Sequence, residues 1–153
     1  MEFKKDNYEI NKLITEVSGD MQSTTKKHNL ILRLGKETIL HGDRNRTGQV
    51  LTNLLSNAIK YSPDHNKIII KTFVSKKEIK IGIIDYGIGI EKVMREKIFE
   101  RFIRITSNDI NTYPGIGLGL FIAHEMVVRQ GGRIWVEDNK KKGSKFYFTL
   151  PIN

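Results

Sequence analysis

Hydrophobic side chains recur at helical spacing in three parts of the chain. Between residues 7 and 21 they mark one face of an amphipathic helix, at Ile10, Leu13, Ile14, Val17 and Met21. A longer helix is predicted from Asp43, a suitable N-cap residue, to about Tyr61. The third helix is markedly apolar, covers about 117–130, and ends at Gly131-Gly132.

Runs of β-branched and aromatic residues predict short strands between these helices. The predicted strands are 30–34, 38–40, 67–74, 78–85, 134–137 and 145–150. The first two are joined at Gly35-Lys36, and the other four form two hairpins. Residues 91–99 are predicted as a short helix, and 101–114, rich in Ser, Thr, Asn and Asp, as a lid-like surface loop. This order predicts an α+β fold: a two-layer sandwich with a mixed, mostly antiparallel sheet and helices on one face.

Composition and charge narrow the class of protein. The length indicates a single domain over residues 1–153, with 1–9 expected to be linker. The chain has no cysteine, which excludes disulfides, a thiolate nucleophile and metal sites built on sulfur. Since no run of about 18 apolar residues occurs, we expect no membrane contact by this domain itself and a cytoplasmic location, and an inner-membrane anchor of the parent protein stays open. The net charge of +9 is compatible with nucleic-acid binding, but interleaved surface aromatics are lacking, so we expect no nucleic-acid partner.

Glycine-bearing stretches are candidates for nucleotide binding, because glycine lets backbone amides approach a ligand closely. These stretches are 85–90 (DYGIGI), 115–120 (GIGLGL) and 131–132. The dinucleotide fingerprint G-x-G-x-x-G does not fit, because Lys92 and Leu120 stand where its third glycine is required. The Walker A motif does not fit either, since Gly87 is not followed by Lys and Ser or Thr.

Polar side chains form a stripe along the second helix. Asn53, Asn57 and Lys60 fall within about 60° of one another, and apolar residues fill the opposite, wider arc. Asparagine is a poor helix former, so two of them are unusual on an ordinary solvated face. An amide oxygen suits Mg²⁺, which takes few protein ligands besides waters and substrate phosphates. The stripe is therefore consistent with metal and phosphate binding, and a plain solvated face remains the alternative.

Four segments, taken in order and with their separations, are more specific than any one of them. They are 53–62 (NLLSNAIKYS), 85–90, 98–102 (IFERF) and 115–120. In this order they resemble the N, G1, F and G2 boxes of histidine protein kinases, and 131–137 and 143–146 resemble that family's closing segments. The resemblance covers about residues 10–151. It implies the α/β sandwich shared with gyrase, chaperone and mismatch-repair ATPases, with ATP and Mg²⁺ as ligands.

The resemblance also implies which residues lie at the adenine end of ATP. Asp85 would accept a hydrogen bond from the adenine amino group, with Gly87 and Gly89 shaping the pocket floor. A buried carboxylate in that place selects adenine, because guanine presents a carbonyl there. Further nucleotide contacts are implied at Tyr61, Ile90, Phe102, Gly115, Gly117, Leu118, Gly119 and Ser144.

At the phosphate end, the resemblance assigns metal and charge roles. Asn57 would bind Mg²⁺, with Asn53 and Lys60 beside the phosphates. Arg104, in the lid, would contact the γ-phosphate. Phosphoryl transfer requires mainly positioning and charge neutralisation, which these groups could supply.

A phosphoacceptor histidine of the family type is not recognisable. His124 alone among the histidines precedes a Glu, but the expected downstream Pro is absent and His124 follows the G2 box. The resemblance thus implies a separate helical dimerisation and phosphoacceptor domain as partner, with a response regulator downstream.

Position 53 bears on the reaction type. The related ATPases carry a Glu four residues before the Mg-binding Asn, where it can activate water, whereas Asn53 stands there in this chain. The predicted function is a protein-histidine kinase domain that donates the γ-phosphoryl group of ATP. A stand-alone ATPase and a non-catalytic nucleotide-sensing module remain the alternatives.

Overall fold

The structure, a computed structural model, describes residues 2–100, 118–140 and 142–152. The helices are α1 (Ile10–Gln22), α2 (Arg44–Lys60) and α3 (Gly119–Arg129). The strands are β1 (Asp6–Glu9), β2 (Asn29–Arg33), β3 (Ile39–Gly42), β4 (Lys67–Val74), β5 (Glu78–Asp85), β6 (Ile134–Asp138) and β7 (Ser144–Pro151). The predicted lid, 101–114, lies outside the described residues.

A five-stranded sheet in the order β2-β4-β5-β7-β6 forms one layer of the fold. β2 runs parallel to β4, and the other neighbours are antiparallel. Alternate residues of β5, Ile79, Ile81 and Ile83, are at most 1% exposed and join the helices in one hydrophobic core. The predicted α+β class, with a mixed, mostly antiparallel sheet, is confirmed.

Two predictions for the start of the chain, the linker over 1–9 and a helix from residue 7, are wrong. Residues 6–9, expected to be linker and helix, form β1, which pairs antiparallel with β3 in a separate two-stranded sheet. Tyr8 on β1 is buried at 6% exposure and donates to or accepts from the Thr47 hydroxyl, 2.9 Å away. Helix α1 therefore begins at Ile10, after the strand has ended.

Two other local predictions differ in outcome. The Asp43 cap of α2 is confirmed, because its side chain accepts a hydrogen bond from the Arg46 amide at 3.1 Å. The short helix predicted at 91–99 is wrong. That segment contains two 3₁₀ turns, Lys92–Met94 and Lys97–Phe99, where a continuous helix was expected.

Core packing of α2 gives a stability prediction. Leu51 is 0% exposed in the core cluster, so Leu51→Ala would remove its buried contacts and leave a cavity. We expect the free energy of unfolding, measured by urea denaturation, to fall by about 3 kcal/mol. Leu118→Ala, at a position 63% exposed, is the matched control and should change the free energy of unfolding by less than about 0.5 kcal/mol. Equal losses in the two variants would contradict the prediction.

Across the described ranges, no helix combines the length and the apolar character needed to cross a membrane.

Candidate functional site

The polar stripe of α2 lies on the helix face that is not packed in the core. Asn53 and Asn57 are half-buried and Lys60 is exposed, whereas Leu54 and Leu55 on the opposite arc are each 1% exposed. Three polar groups at helical spacing therefore line one accessible surface, as the sequence predicted.

One end of the stripe is fixed to the start of α3. The Asn53 side-chain amide donates a hydrogen bond to the Gly119 carbonyl oxygen at 3.0 Å. Leu118, just before that helix, is 63% exposed. The amide at position 53 thus holds the first turn of α3 beside the stripe.

The other end of the stripe meets the glycine loop that follows β5. Tyr61, the residue after α2, accepts a hydrogen bond through its carbonyl oxygen from the Ile88 amide at 3.0 Å. A Cβ added at Gly87 would lie 1.8 Å from the same carbonyl oxygen, so only glycine permits this close approach. The side chain of Tyr61 is buried, and burial raises the pKa of its phenol to about 12. Tyr61 follows Asn53 by eight residues, so about 12 Å of helix separates these two attachments.

Asp85 ends β5 as a buried carboxylate, 6% exposed. Its Oδ1 accepts hydrogen bonds from the Gly87 amide at 2.9 Å and the Ser144 amide at 3.2 Å. Burial raises the pKa of Asp85 to about 6, and the Gly87 and Ser144 amides and the Ser62 hydroxyl oppose that rise because they favour the charged form. Since both amides donate to Oδ1, Oδ2 keeps acceptor capacity for a donor on a ligand.

Two residues that contact the backbone carbonyl of Asp85 were not assigned from the sequence. Asn139 donates through Nδ2 to the Asp85 carbonyl oxygen at 3.0 Å. Gly143 has φ +97°, and a Cβ there would lie 2.3 Å from that same oxygen. The Gly-Ser pair before a predicted strand was the available signal for Gly143, but no local pattern could have related Asn139 to Asp85.

The outer side of the glycine loop carries an aromatic contact that the sequence did not indicate. The Tyr86 ring packs against the His65 ring with centroids 4.9 Å apart and planes 30° apart. A small pocket beside it, of about 60 Å³, is lined by residues of both loops, including Pro63 and Ile88. The contact joins the loop after α2 to the loop after β5.

The predicted site residues fall into three groups. Those that the structure gathers along α2 and around its two ends are Asn53, Asn57, Lys60, Tyr61, Asp85, Gly87, Gly89, Leu118, Gly119 and Ser144. Ile90 is 9% exposed and belongs to the hydrophobic core. Those that lie outside the described residues are Phe102, Arg104, Gly115 and Gly117.

The donor set fits magnesium better than a metal held entirely by protein. Within 2–100, 118–140 and 142–152, no three His, Cys, Asp or Glu side chains cluster as metal ligands. The half-buried amides of Asn53 and Asn57 are hard oxygen donors. Mg²⁺ commonly takes one or two such ligands and completes its shell with waters and phosphates.

Comparison with known proteins decides the family. The family of histidine kinase-, DNA gyrase B- and HSP90-like ATPases matches residues 42–153. The chain belongs to this family. It is also 34% identical to the sensor histidine kinase WalK of Bacillus subtilis, over 98% of this chain and 25% of that protein. The domain thus spans about a quarter of that relative.

Solved structures agree with the histidine-kinase branch of the family. The nucleotide-free catalytic domain of histidine kinase ThkA matches with a TM-score of 0.80 and 30% identity, covering 99% of this chain and 97% of that one. ThkA in complex with the response regulator protein TrrA matches with a TM-score of 0.83 and 26% identity, covering 99% of this chain and 42% of that one. The recognition as a histidine-kinase catalytic and ATP-binding domain is confirmed.

Proposed function

We propose that this domain binds Mg-ATP along α2 and donates the γ-phosphoryl group to a histidine on a separate helical domain, in two-component signalling. The observation that carries the proposal is the polar stripe Asn53, Asn57 and Lys60, which is bounded by the Asp85 loop at one end and by α3 at the other. A response regulator is the proposed recipient downstream, as the ThkA complex suggests by analogy.

The adenine end of the proposed site is Asp85. Because Gly87 and Ser144 amides hold Oδ1, the carboxylate keeps a fixed orientation with Oδ2 available to the adenine amino group. A guanine base would place a carbonyl oxygen against this acceptor and leave both groups unpaired. The geometry therefore favours adenine over guanine nucleotides.

The phosphate end is the stripe itself. Asn57 would supply an amide oxygen to Mg²⁺, and the exposed ammonium of Lys60 would neutralise charge on a phosphate one turn further along. When bound, Mg²⁺ supplies neutralisation of the charge that develops on the phosphate oxygens. In the transfer, the acceptor imidazole nitrogen forms a bond to the γ-phosphorus while the bond to the β,γ-bridging oxygen breaks, and ADP leaves.

Position 53 favours transfer over hydrolysis. Its amide is engaged with the Gly119 carbonyl oxygen and is not a general base. We therefore expect ATP to be held without rapid attack by water. Steady-state hydrolysis well above about one turnover per second would instead support a stand-alone ATPase.

The raised pKa of Asp85 predicts how nucleotide affinity depends on pH. A ligand amino group needs the ionised carboxylate, and with a pKa of about 6 only about one tenth is ionised at pH 5. Between pH 8 and pH 5 we expect ATP affinity, measured by calorimetry, to weaken about tenfold beyond any contribution from phosphate protonation.

Two variants separate this effect from other titrations. Asp85→Asn should bind ATP much more weakly than wild type, and its ATP affinity should no longer show the tenfold change between pH 8 and pH 5. Asp64→Asn removes an exposed carboxyl from the neighbouring loop and should keep the wild-type pH profile. A profile in Asp85→Asn that matches wild type would contradict the role of this carboxylate.

Phosphoryl transfer is tested directly with γ-labelled ATP. The domain is mixed with a separately purified helical domain that carries the acceptor histidine, and the label is followed on that domain. We expect acid-labile, base-stable label on the partner and none on this chain. Tight ATP binding without transfer to its cognate partner would overturn the kinase proposal and leave a nucleotide-sensing module.

A further inference from the structure

The sheet face that points away from the helices carries aromatic rings interleaved with cations. The ammonium nitrogen of Lys80 lies 4.8 Å from the ring centroids of both Phe73 and Tyr147. Tyr147 in turn packs against Trp135, with ring centroids 5.5 Å apart, and the Arg133 guanidinium lies 5.0 Å from the Trp135 ring. Four strands of the sheet, β4 to β7, and the residue preceding β6 thus contribute to one continuous aromatic and cationic cluster.

A groove of about 310 Å³ opens at one end of this cluster, between the β4–β5 turn and the start of β6. Its lining includes Phe73, Val74, Glu78, Lys80, Arg133 and Trp135. Phe73 is 45% exposed and Val74 is 41% exposed, so two neighbouring apolar side chains are accessible at the groove. The groove therefore offers an apolar wall as well as charge.

The charges of the groove are not all compensated. Glu78 is paired with Arg133 at 3.0 Å, and Glu137, which lies outside the lining, accepts a hydrogen bond from the Trp135 indole nitrogen at 2.7 Å. Lys80, by contrast, has no carboxylate oxygen within salt-bridge distance among the described residues. Its ammonium, held between two rings, is available to a carboxylate from outside.

This cluster also revises an argument made from the sequence. The expectation of no nucleic-acid partner relied on a lack of interleaved surface aromatics, and the structure contradicts that premise. Base stacking nevertheless requires free ring faces. Tyr147 is only 8% exposed, with its ring over Gly82 on one side and Lys80 against it, and Arg133 covers the Trp135 ring.

We propose that this groove binds an acidic polypeptide segment of a partner protein. A bulky apolar side chain of the segment would lie between Phe73 and Trp135, and a flanking carboxylate would pair with Lys80. The combination of one free cation, an apolar wall and two fixed acidic side chains suits such a mixed ligand better than a uniform polyanion, which Glu78 and Glu137 would repel. The site is on the sheet face opposite α2 and does not depend on the proposed nucleotide chemistry.

Trp135 provides the measurement, because it is the only tryptophan in the chain and lines the groove. The domain is titrated with the peptide Glu-Asp-Leu-Phe-Asp-Glu while its tryptophan fluorescence is recorded. Peptides with Gly-Gly in place of Leu-Phe, or with lysines in place of the acidic residues, test the apolar and the charged contributions. We expect a saturable fluorescence change with Glu-Asp-Leu-Phe-Asp-Glu and none with the two altered peptides.

Matched charge reversals locate the binding site. Lys80→Glu should weaken the peptide at least about tenfold. Lys71→Glu makes the same change on the same sheet face, at the position paired with Gly82, and should alter the affinity by less than about threefold. Circular dichroism of each variant confirms that it is folded.

The proposal is overturned by any of three results. These are no saturable response to the acidic apolar peptide, equal weakening by the two lysine variants, and tighter binding of a thymidine oligonucleotide or of anionic vesicles. The last result would assign the face to a nucleic acid or a lipid surface instead.

Discussion

Asn57→Ala is expected to abolish the contribution of magnesium to ATP binding. The Asn57 amide is half-buried at the middle of the α2 stripe, between Asn53, which is bonded to Gly119, and Tyr61, which is bonded to the Ile88 amide. The substitution therefore removes an oxygen donor and leaves both attachments intact. We expect the affinity for ATP in the presence of Mg²⁺ to fall at least about 100-fold, since even outer residues of a metal site contribute 10–100-fold.

Calorimetry with and without Mg²⁺ separates the metal role from a general loss of the site. Without the metal, Asn57→Ala and wild type should bind ATP within about threefold of each other. Asn45→Ala makes the same substitution at an exposed position in the first turn of α2 and should keep the full magnesium effect. A magnesium effect of wild-type size in Asn57→Ala would refute the assignment.

Gly87→Ala is expected to have the largest structural effect at the site. The new Cβ would lie 1.8 Å from the Tyr61 carbonyl oxygen and 2.6 Å from its carbonyl carbon, and neither is the end of a flexible side chain. The loop must move away from α2, which breaks the Ile88–Tyr61 hydrogen bond and displaces the Gly87 amide from Asp85. We expect about 2–3 kcal/mol of lost stability and a large loss of ATP affinity.

Gly19→Ala is the matched control, since the same substitution should act in the opposite direction there. Gly19 lies within α1, and a Cβ added to it meets no atom within 4 Å. Alanine should therefore stabilise the helix by about 0.5–1 kcal/mol. Denaturation curves of the two variants provide the comparison, and a Gly87→Ala protein as stable as wild type would show that the close approach is not required.

Local features of the fold could be predicted because neighbouring residues decide them. Asp43 caps α2 through a bond to an amide three residues away, and the apolar period of the helix sets which face is buried. The β4–β5 hairpin follows for the same reason, since both strands and their turn lie within 67–85. The candidate stripe on α2 was likewise visible, because helical spacing alone places its three residues on one face.

The pairing of strands outside the two hairpins could not be predicted in the same way. The sequence joined 30–34 and 38–40 as neighbours, but β2 pairs in parallel with β4 and β3 pairs with β1. Partners in a sheet are chosen by the burial of whole faces contributed from distant residues, such as Tyr8 on β1. The helix predicted at 91–99 was wrong for a related reason. Met94, Ile98 and Phe99 are buried against the core, and a helix this short has little stability of its own.

The sequence by itself determined the three helices, most of the strands, the polar stripe of α2 and the family motifs, because each depends on spacing along a few residues. The tertiary structure alone decided that Tyr61 meets the Gly87 loop, that Asn139 and Ser144 hold Asp85, and that Lys80 lies between two rings on the opposite sheet face. Those contacts join residues far apart in the chain, and they form only when the sheet and helices bury their common core.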